Sequence, residues 1–475
     1  MRCLSLLSSL ALFVLGAAAC SPPSDSEQDP SGGDGGSGLA GEGGAGAGTA
    51  AGGAGSGAGT AQGGSGAGTS QGGSGAGTAQ GGNGGSTGTG GGAPGEKRLV
   101  GYFTAWSVYG RDYHVPEIPA GKLTHINYAF ANISDSGECV MGDPYADADK
   151  FYPGDSWDPG AKRGSFHQLE LLKAAHPKLR TLISVGGWSW SGKFSDVALT
   201  PESRSKFVTS CVTFMKEHGF DGIDVDWEYP VGGGLPTNTY RPEDEQNYTL
   251  LLQAFRDALD VEQAASQKTY DLTIAAPAGP GIYANIELQK VGQILSWINL
   301  MAYDFHGGWD EATNFNAALF PASGDPSADP AVKTKFNAGA AVDGYLASGV
   351  PANKLVLGVP FYGRGYAGVT NEEDGLFQPF SGLPMGTWEA GVFDYHDLVA
   401  KYVPTMTRHW HEQSQVPWLF DPATGIMISY DDPESLQKKA ELVLQKNLGG
   451  AMLWELSGDT TEATLLSALH TSLGN

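Results

Sequence analysis

The sequence predicts an α/β chain whose folded part is a (β/α)8 TIM barrel carrying a small α+β insertion before its last strand. Three observations predict it. Eight short apolar runs of strand length recur after Lys97, segments of helical pattern separate them, and one interval, between the seventh run and the eighth, is too long for a single helix.

Taken in chain order, the N-terminus comes first. Arg2 precedes an apolar stretch, Leu4 to Ala19, which ends on Ala17-Ala18-Ala19 before Cys20. A basic start, an apolar centre and small residues at the end predict a signal peptide over residues 1–19. The stretch is shorter than the roughly 20 apolar residues of a membrane span, and serines interrupt it. Two cleavage modes fit. The box before Cys20 resembles that of a bacterial lipoprotein, with lipid on Cys20, although Ala17 stands where such boxes usually carry Leu. Ala-Ala-Ala also suits ordinary signal peptidase. The expected location is therefore exported, either as a cell-surface lipoprotein or secreted, with membrane contact only through that anchor.

Residues 20–96 read as a linker. Positions 31–95 hold 32 of the 71 glycines, and GGSGAGTxQ occurs twice in succession, ending at Gln71 and Gln80. Nothing in this stretch can form a core, and no strand leads into it as a phosphate loop requires. A flexible tether with an r.m.s. span of about 45 Å is expected.

The barrel strands are predicted at Leu99–Thr104, Leu123–Phe130, Thr181–Val185, Gly222–Trp227, Leu272–Ala276, Ile298–Tyr303, Leu355–Pro360 and Ala451–Trp454. Between them, Pro201 opens a helix running to Lys216, with Gly219 beyond its end. Glu243 to Leu259 forms another, with Tyr248, Leu251, Leu252 and Phe255 at helical spacing. Gly363 to Ile428 is dense in Gly, Phe, Trp and Tyr and is assigned to the insertion. That leaves 97–362 and 429–475 to the barrel. On a barrel's C-terminal rim such an insertion would form a cleft wall. Cys139 and Cys211 are the cysteines of this region, and either a bridge or two separate buried thiols fits them.

The formal charge is −24, and the part after Glu96 carries −19, from 27 Lys+Arg against 46 Asp+Glu. Nucleic acid and anionic lipid surfaces are excluded as partners on that balance, while a neutral or cationic polymer is compatible. The ten histidines form no metal-ligand spacing; His306 has no partner in sequence. No Ser-His-Asp or Cys-His arrangement stands out, and no metal is expected.

The residues that carry chemistry lie in Phe220 to Pro230. Ile223, Val225 and Trp227 alternate with Asp224, Asp226 and Glu228, so a strand would turn three carboxylates to one face, successive members about 6.8 Å apart. Acids inside a barrel are costly unless they serve a purpose. A calcium loop also places acids at alternate positions, but the glycine and glutamate that an EF-hand needs at its sixth and twelfth positions are missing.

The run DGIDVDWE resembles the DxxDxDxE signature of the family 18 glycoside hydrolases, specifically bacterial and fungal chitinases, at Asp221, Asp224, Asp226 and Glu228. Ser184-Val185-Gly186-Gly187 is similar to that family's SxGG motif, Met301-Ala302-Tyr303-Asp304 to its MxYD motif, and Trp454 stands where the family has the tryptophan under the sugar. The resemblance covers residues 97–475 in the family's order. It implies hydrolysis of β-1,4-linked N-acetylglucosamine polymers, with chitin or chito-oligosaccharides as the partner, no cofactor, and a monomer.

Asp226 shares a strand face with Glu228 and so cannot reach the far side of the sugar, as a protein nucleophile must. The resemblance supplies the alternative, attack by the substrate's own acetamido group. It implies Glu228 as the acid, Asp226 as the group holding the acetamido N–H, Asp224 as a modulator behind it, Tyr303 on the acetamido oxygen and Asp304 near the scissile bond. Ser184, Gly186 and Gly187 are expected to support Asp224. The implied sugar contacts are Tyr102, Trp106, Phe130, Trp188, Tyr229, Met301, Trp309, Tyr362, Arg364 and Trp454; a rim salt bridge is the plain alternative for Arg364. A chitin-binding lectin on the same fold would lack Glu228, and an endoglycosidase acting on N-glycan cores would lack the insertion.

Overall fold

A computed structural model describes residues 97–475. The signal-peptide segment, Cys20 and the glycine-rich stretch to Glu96 lie outside the described residues. Eight parallel strands close on themselves: β1 (Arg98–Thr104), β2 (His125–Ile133), β4 (Arg180–Gly186), β5 (Gly222–Asp226), β6 (Asp271–Pro277), β7 (Trp297–Met301), β8 (Leu355–Pro360) and β14 (Gly450–Trp454). Each pairs with the next in that order, and β14 returns to β1 in the register Leu99 to Ala451. A short β3 (Cys139–Met141) pairs antiparallel with the end of β2.

The strands alternate with period two, as the pleat requires. Leu99, Phe103, Ile183, Val185, Ile223, Val225, Ile298, Leu300, Leu357 and Leu453 belong to the large core between strands and helices. Their neighbours Val100, Tyr102, Leu182, Trp297, Val356 and Met452 form a second cluster inside the barrel. The interior is apolar on the β1, β8 and β14 side. Across from it, β4 to β7 contribute polar groups, Ser184, Asp224, Thr273 and Asn299.

Helix boundaries follow local chemistry. Thr200 caps the helix Pro201–Glu217, its Oγ1 accepting the Ser203 N–H at 3.1 Å, with Pro201 at the first helical position. Gly219, at φ +72°, then supplies the left-handed residue that ends it. The helix expected to end at Leu259 runs on from Asp244 to Ser266, because nothing breaks it before Gln267 adopts a left-handed conformation.

Between β8 and β14 the chain builds a second sheet, antiparallel, in the order β10 (Val392–Asp394), β9 (Tyr362–Tyr366), β13 (Ile426–Ser429), β12 (Val416–Asp421), β11 (Thr407–His411). Its sheet begins one residue before and ends one residue after the stretch 363–428. Cys139 and Cys211 are both buried and unbridged. Among the described residues no helix is long and apolar enough to cross a membrane.

Candidate active site

At the C-terminal ends of the strands, β5 presents Asp224 and then Asp226 to the interior, and Glu228 follows just past the strand. Asp224 is fully buried and accepts four hydrogen bonds: from Tyr102 Oη and Ser184 Oγ at 2.7 Å, Thr273 Oγ1 at 2.5 Å and Asn299 Nδ2 at 3.3 Å. Burial pushes its pKa up, and the hydroxyl donors pull it back. The polar side of the barrel interior, with the Tyr102 hydroxyl reaching in from β1, is thus a cradle for one carboxylate.

Asp226 has no such cradle. It is 3 % exposed, and its Oδ1 has no hydrogen-bond partner within the protein. Burial raises its pKa well above the usual carboxylate range, and the neighbouring charges of Glu228 and Asp224 raise it further. Glu228, half-buried, is pushed up to about 7, chiefly by burial; a hydrogen bond from Tyr229 opposes this and the charge of Asp304 adds to it. A carboxyl that keeps its proton near neutrality can act as a general acid.

Gly186 and Gly187 earn their place through lack of a side chain. Gly187, at φ +76°, packs where a Cβ would stand 2.7 Å from the Phe130 ring, and its N–H donates to the Asp226 carbonyl at 2.8 Å. Gly186, at φ +107°, leaves no room for a Cβ against that same carbonyl. Above them, Phe130 stacks on Trp454 at 5.9 Å and 22°, with Trp106 6.4 Å and Tyr102 5.4 Å from the Trp454 ring. Tyr102 is only 1 % exposed and its hydroxyl serves Asp224, so its part here is to hold that carboxylate. Trp188 lies beyond Gly187, its buried Nε1 without a protein acceptor.

The opposite wall comes from the end of β7 and the inserted sheet. Met301 and Tyr303 pack against the interior cluster, and the Tyr303 hydroxyl lies 3.9 Å from Met452 Sδ. Asp304 sits at φ +56° and receives Tyr362 Oη and Arg364 Nε, both at 2.6 Å. The Arg364 guanidinium also covers the Trp309 ring at 4.8 Å. That ion pair, with Trp309 against it, joins the barrel to β9.

The profile of glycosyl hydrolases family 18 matches residues 98–459. The chain belongs to that family. Chitinase A1 of Niallia circulans is 44 % identical over 412 residues, covering 79 % of this chain and 58 % of its own length. Endochitinase 1 of Metarhizium robertsii is 41 % identical, covering 75 % of this chain and 80 % of that one. Among solved structures, chitinase ChiA74 from Bacillus thuringiensis superposes with a TM-score of 0.75 at 42 % identity, over 80 % of this chain and 70 % of that one. This protein is a family 18 glycoside hydrolase of the chitinase class.

Several groups of this family 18 site went unread in the sequence. Thr273 and Asn299 each give Asp224 a hydrogen bond, yet a lone Thr or Asn in an apolar strand carries no distinctive signal. Their inward register on the adjacent strands β6 and β7, next to β5, is the signal that would have found them. Trp190 packs against the interior cluster from a segment that reads as plain loop.

Proposed function

We propose that this chitinase cleaves β-1,4 bonds of N-acetylglucosamine chains with retention, the substrate's acetamido group acting as nucleophile. Glu228 donates its proton to the glycosidic oxygen as the C1–O bond breaks, and the acetamido oxygen bonds to C1. The resulting oxazolinium ion is held through its N–H by Asp226 and through its oxygen by Tyr303. Water then adds to C1, Glu228 takes back a proton, and the acetamido group is restored. Glu228 thus serves as acid in one half and base in the other.

One observation carries this reading: Asp226 is buried beside Glu228 on the same strand end with an oxygen that nothing in the protein satisfies. A ring nitrogen that gains charge during the reaction is the partner such a group suits. Asp304, the carboxylate on the opposite wall, is committed to Arg364 and Tyr362, which argues against it as a protein nucleophile. Trp454 supplies the floor under the reacting sugar, with Trp188 and Trp309 further along the cleft.

The test is to cut partly acetylated chitosan and identify the new reducing ends. They are expected to be N-acetylglucosamine; glucosamine appearing as often would mean that the protein supplies its own nucleophile. For location, we infer lipid attachment at Cys20. Mass spectrometry of the mature N-terminus is expected to show a lipidated Cys20, and Cys20→Ser to release the protein; an unmodified N-terminus would refute this.

A further inference from the structure

Four residues beyond Gly187, in Trp188-Ser189-Trp190-Ser191, lies a buried serine that the reaction scheme leaves unused. Ser191 Oγ accepts the backbone N–H of Glu228 at 2.8 Å. Its own proton faces two carbonyls, Gly187 at 2.8 Å and Asp226 at 3.1 Å. On the other side of the same residue, Asn238 Nδ2 donates to the Glu228 carbonyl at 3.1 Å, and the backbone at Gly234 packs so closely on that carbonyl that no Cβ would fit. Both peptide groups of Glu228 are therefore gripped, one from the loop after β4 and one from the loop after β5.

The two loops are themselves tied. The Thr239 N–H donates to the Gly192 carbonyl at 3.3 Å. Ser195 Oγ donates to the buried Asp244 at 2.7 Å and accepts Arg241 Nη1 at 2.7 Å. A grip built this way resists displacement of Glu228 along the cleft.

We propose that Ser191, assisted by Asn238, is a positioning residue that fixes the reach of the Glu228 carboxyl. One hydroxyl touches the backbone of both Glu228 and Asp226, the two residues whose spacing the chemistry depends on. Proton donation needs a heavy-atom approach of about 2.6–3.2 Å. A misplacement near 1 Å lowers turnover by roughly 10²-fold. Ser191 makes no claim on the sugar, so its loss falls on kcat rather than on KM.

The inference rests on Glu228 as the acid, and the experiment separates the two. Ser191→Ala, Ser191→Thr, Asn238→Ala and Glu228→Gln are assayed in the full chain on a soluble chito-oligosaccharide with a chromogenic leaving group, alongside melting temperatures. Ser191→Ala is expected to lower kcat by about 10–100-fold with KM within about threefold. Ser191→Thr, which keeps the hydroxyl, should restore most of it. If Ser191→Ala does not fold, Asn238→Ala carries the same expectation from the carbonyl side, a fall in kcat with KM held. A Ser191→Ala enzyme within twofold of wild-type kcat overturns the inference, as does a loss in which kcat, KM and melting temperature all fail together and Thr restores none. Activity in Glu228→Gln would instead remove the assignment of the acid itself.

Discussion

Asp226 and Asp431 are buried almost equally, 3 % and 2 % exposed, and keep opposite company. Asp431, just beyond β13, receives Lys439 Nζ on both oxygens at 2.7 Å and Ser435 Oγ at 2.7 Å. Lys439 comes from the helix Pro433–Gln445, which Asp432 caps, so a single turn of chain delivers both donors. Burial pushes the Asp431 carboxyl up, and the lysine charge draws it back down. At Asp226 the neighbouring charges, Glu228 and Asp224, have the same sign and push in the same direction as burial. A fold that needs a buried carboxylate for its own sake supplies the counter-charge. Where it supplies more negative charge instead, the group fits a partner that the proposed reaction brings.

The comparison can be broken at either end. The largest effect is expected from Glu228→Gln, which keeps the shape but cannot give a proton. Turnover should fall by at least about 10²–10⁴-fold with oligosaccharide affinity nearly intact, measured by steady-state kinetics and calorimetry. In the wild type, the alkaline limb of activity should lie near the Glu228 pKa of about 7, since only the protonated acid donates. Next comes Lys439→Met, which strands Asp431. A stability loss of about 3–5 kcal/mol by denaturant titration is expected, with kcat per folded molecule unchanged. If catalysis falls and stability holds, the two aspartates do not differ as argued.

The smallest shift in stability, and the sharpest test, concerns Asp226→Asn. The folded-state pKa of Asp226 is raised, so its contribution to stability is fully present below the unfolded value of about 3.9 and is lost as pH rises through the folded one. Removing the charge should therefore make the variant gain on the wild type as pH rises above about 4, while activity collapses. Melting curves of both proteins from acid to neutral pH decide it: a variant that loses ground on the wild type as pH rises would place a hidden counter-charge at Asp226.

How much of this was legible depended on whether the signal was local. The alternation in Gly222 to Trp227 reports its own pleat, so Asp224, Asp226 and Glu228 could be placed on one face from sequence alone. Ser191 gave no such cue, because the backbone groups it joins at the end of β5, the Asp226 carbonyl and the Glu228 N–H, lie 35 and 37 residues away. The Asp304–Arg364 pair spans 60 residues and two sheets, which is why a rim salt bridge could be raised but not located. β3 is three residues long, too short for any periodicity to register. The long helix after Glu243 outran its expected end because its stop is a left-handed glutamine rather than the usual glycine.

The closure of β1 against β14 has a practical side. It brings Lys97 and Asn475 together, the Lys97 N–H donating to Asn475 Oδ1 at 3.2 Å and Asn475 Nδ2 returning to the Lys97 carbonyl at 2.9 Å. Lys97 enters β1 at the strand's N-terminal end, and the carboxylates stand at the C-terminal ends of the same strands. A surface, a fusion partner or a resin attached through either of these two residues would hold the enzyme by its base, with the mouth of the cleft turned towards whatever polymer it meets.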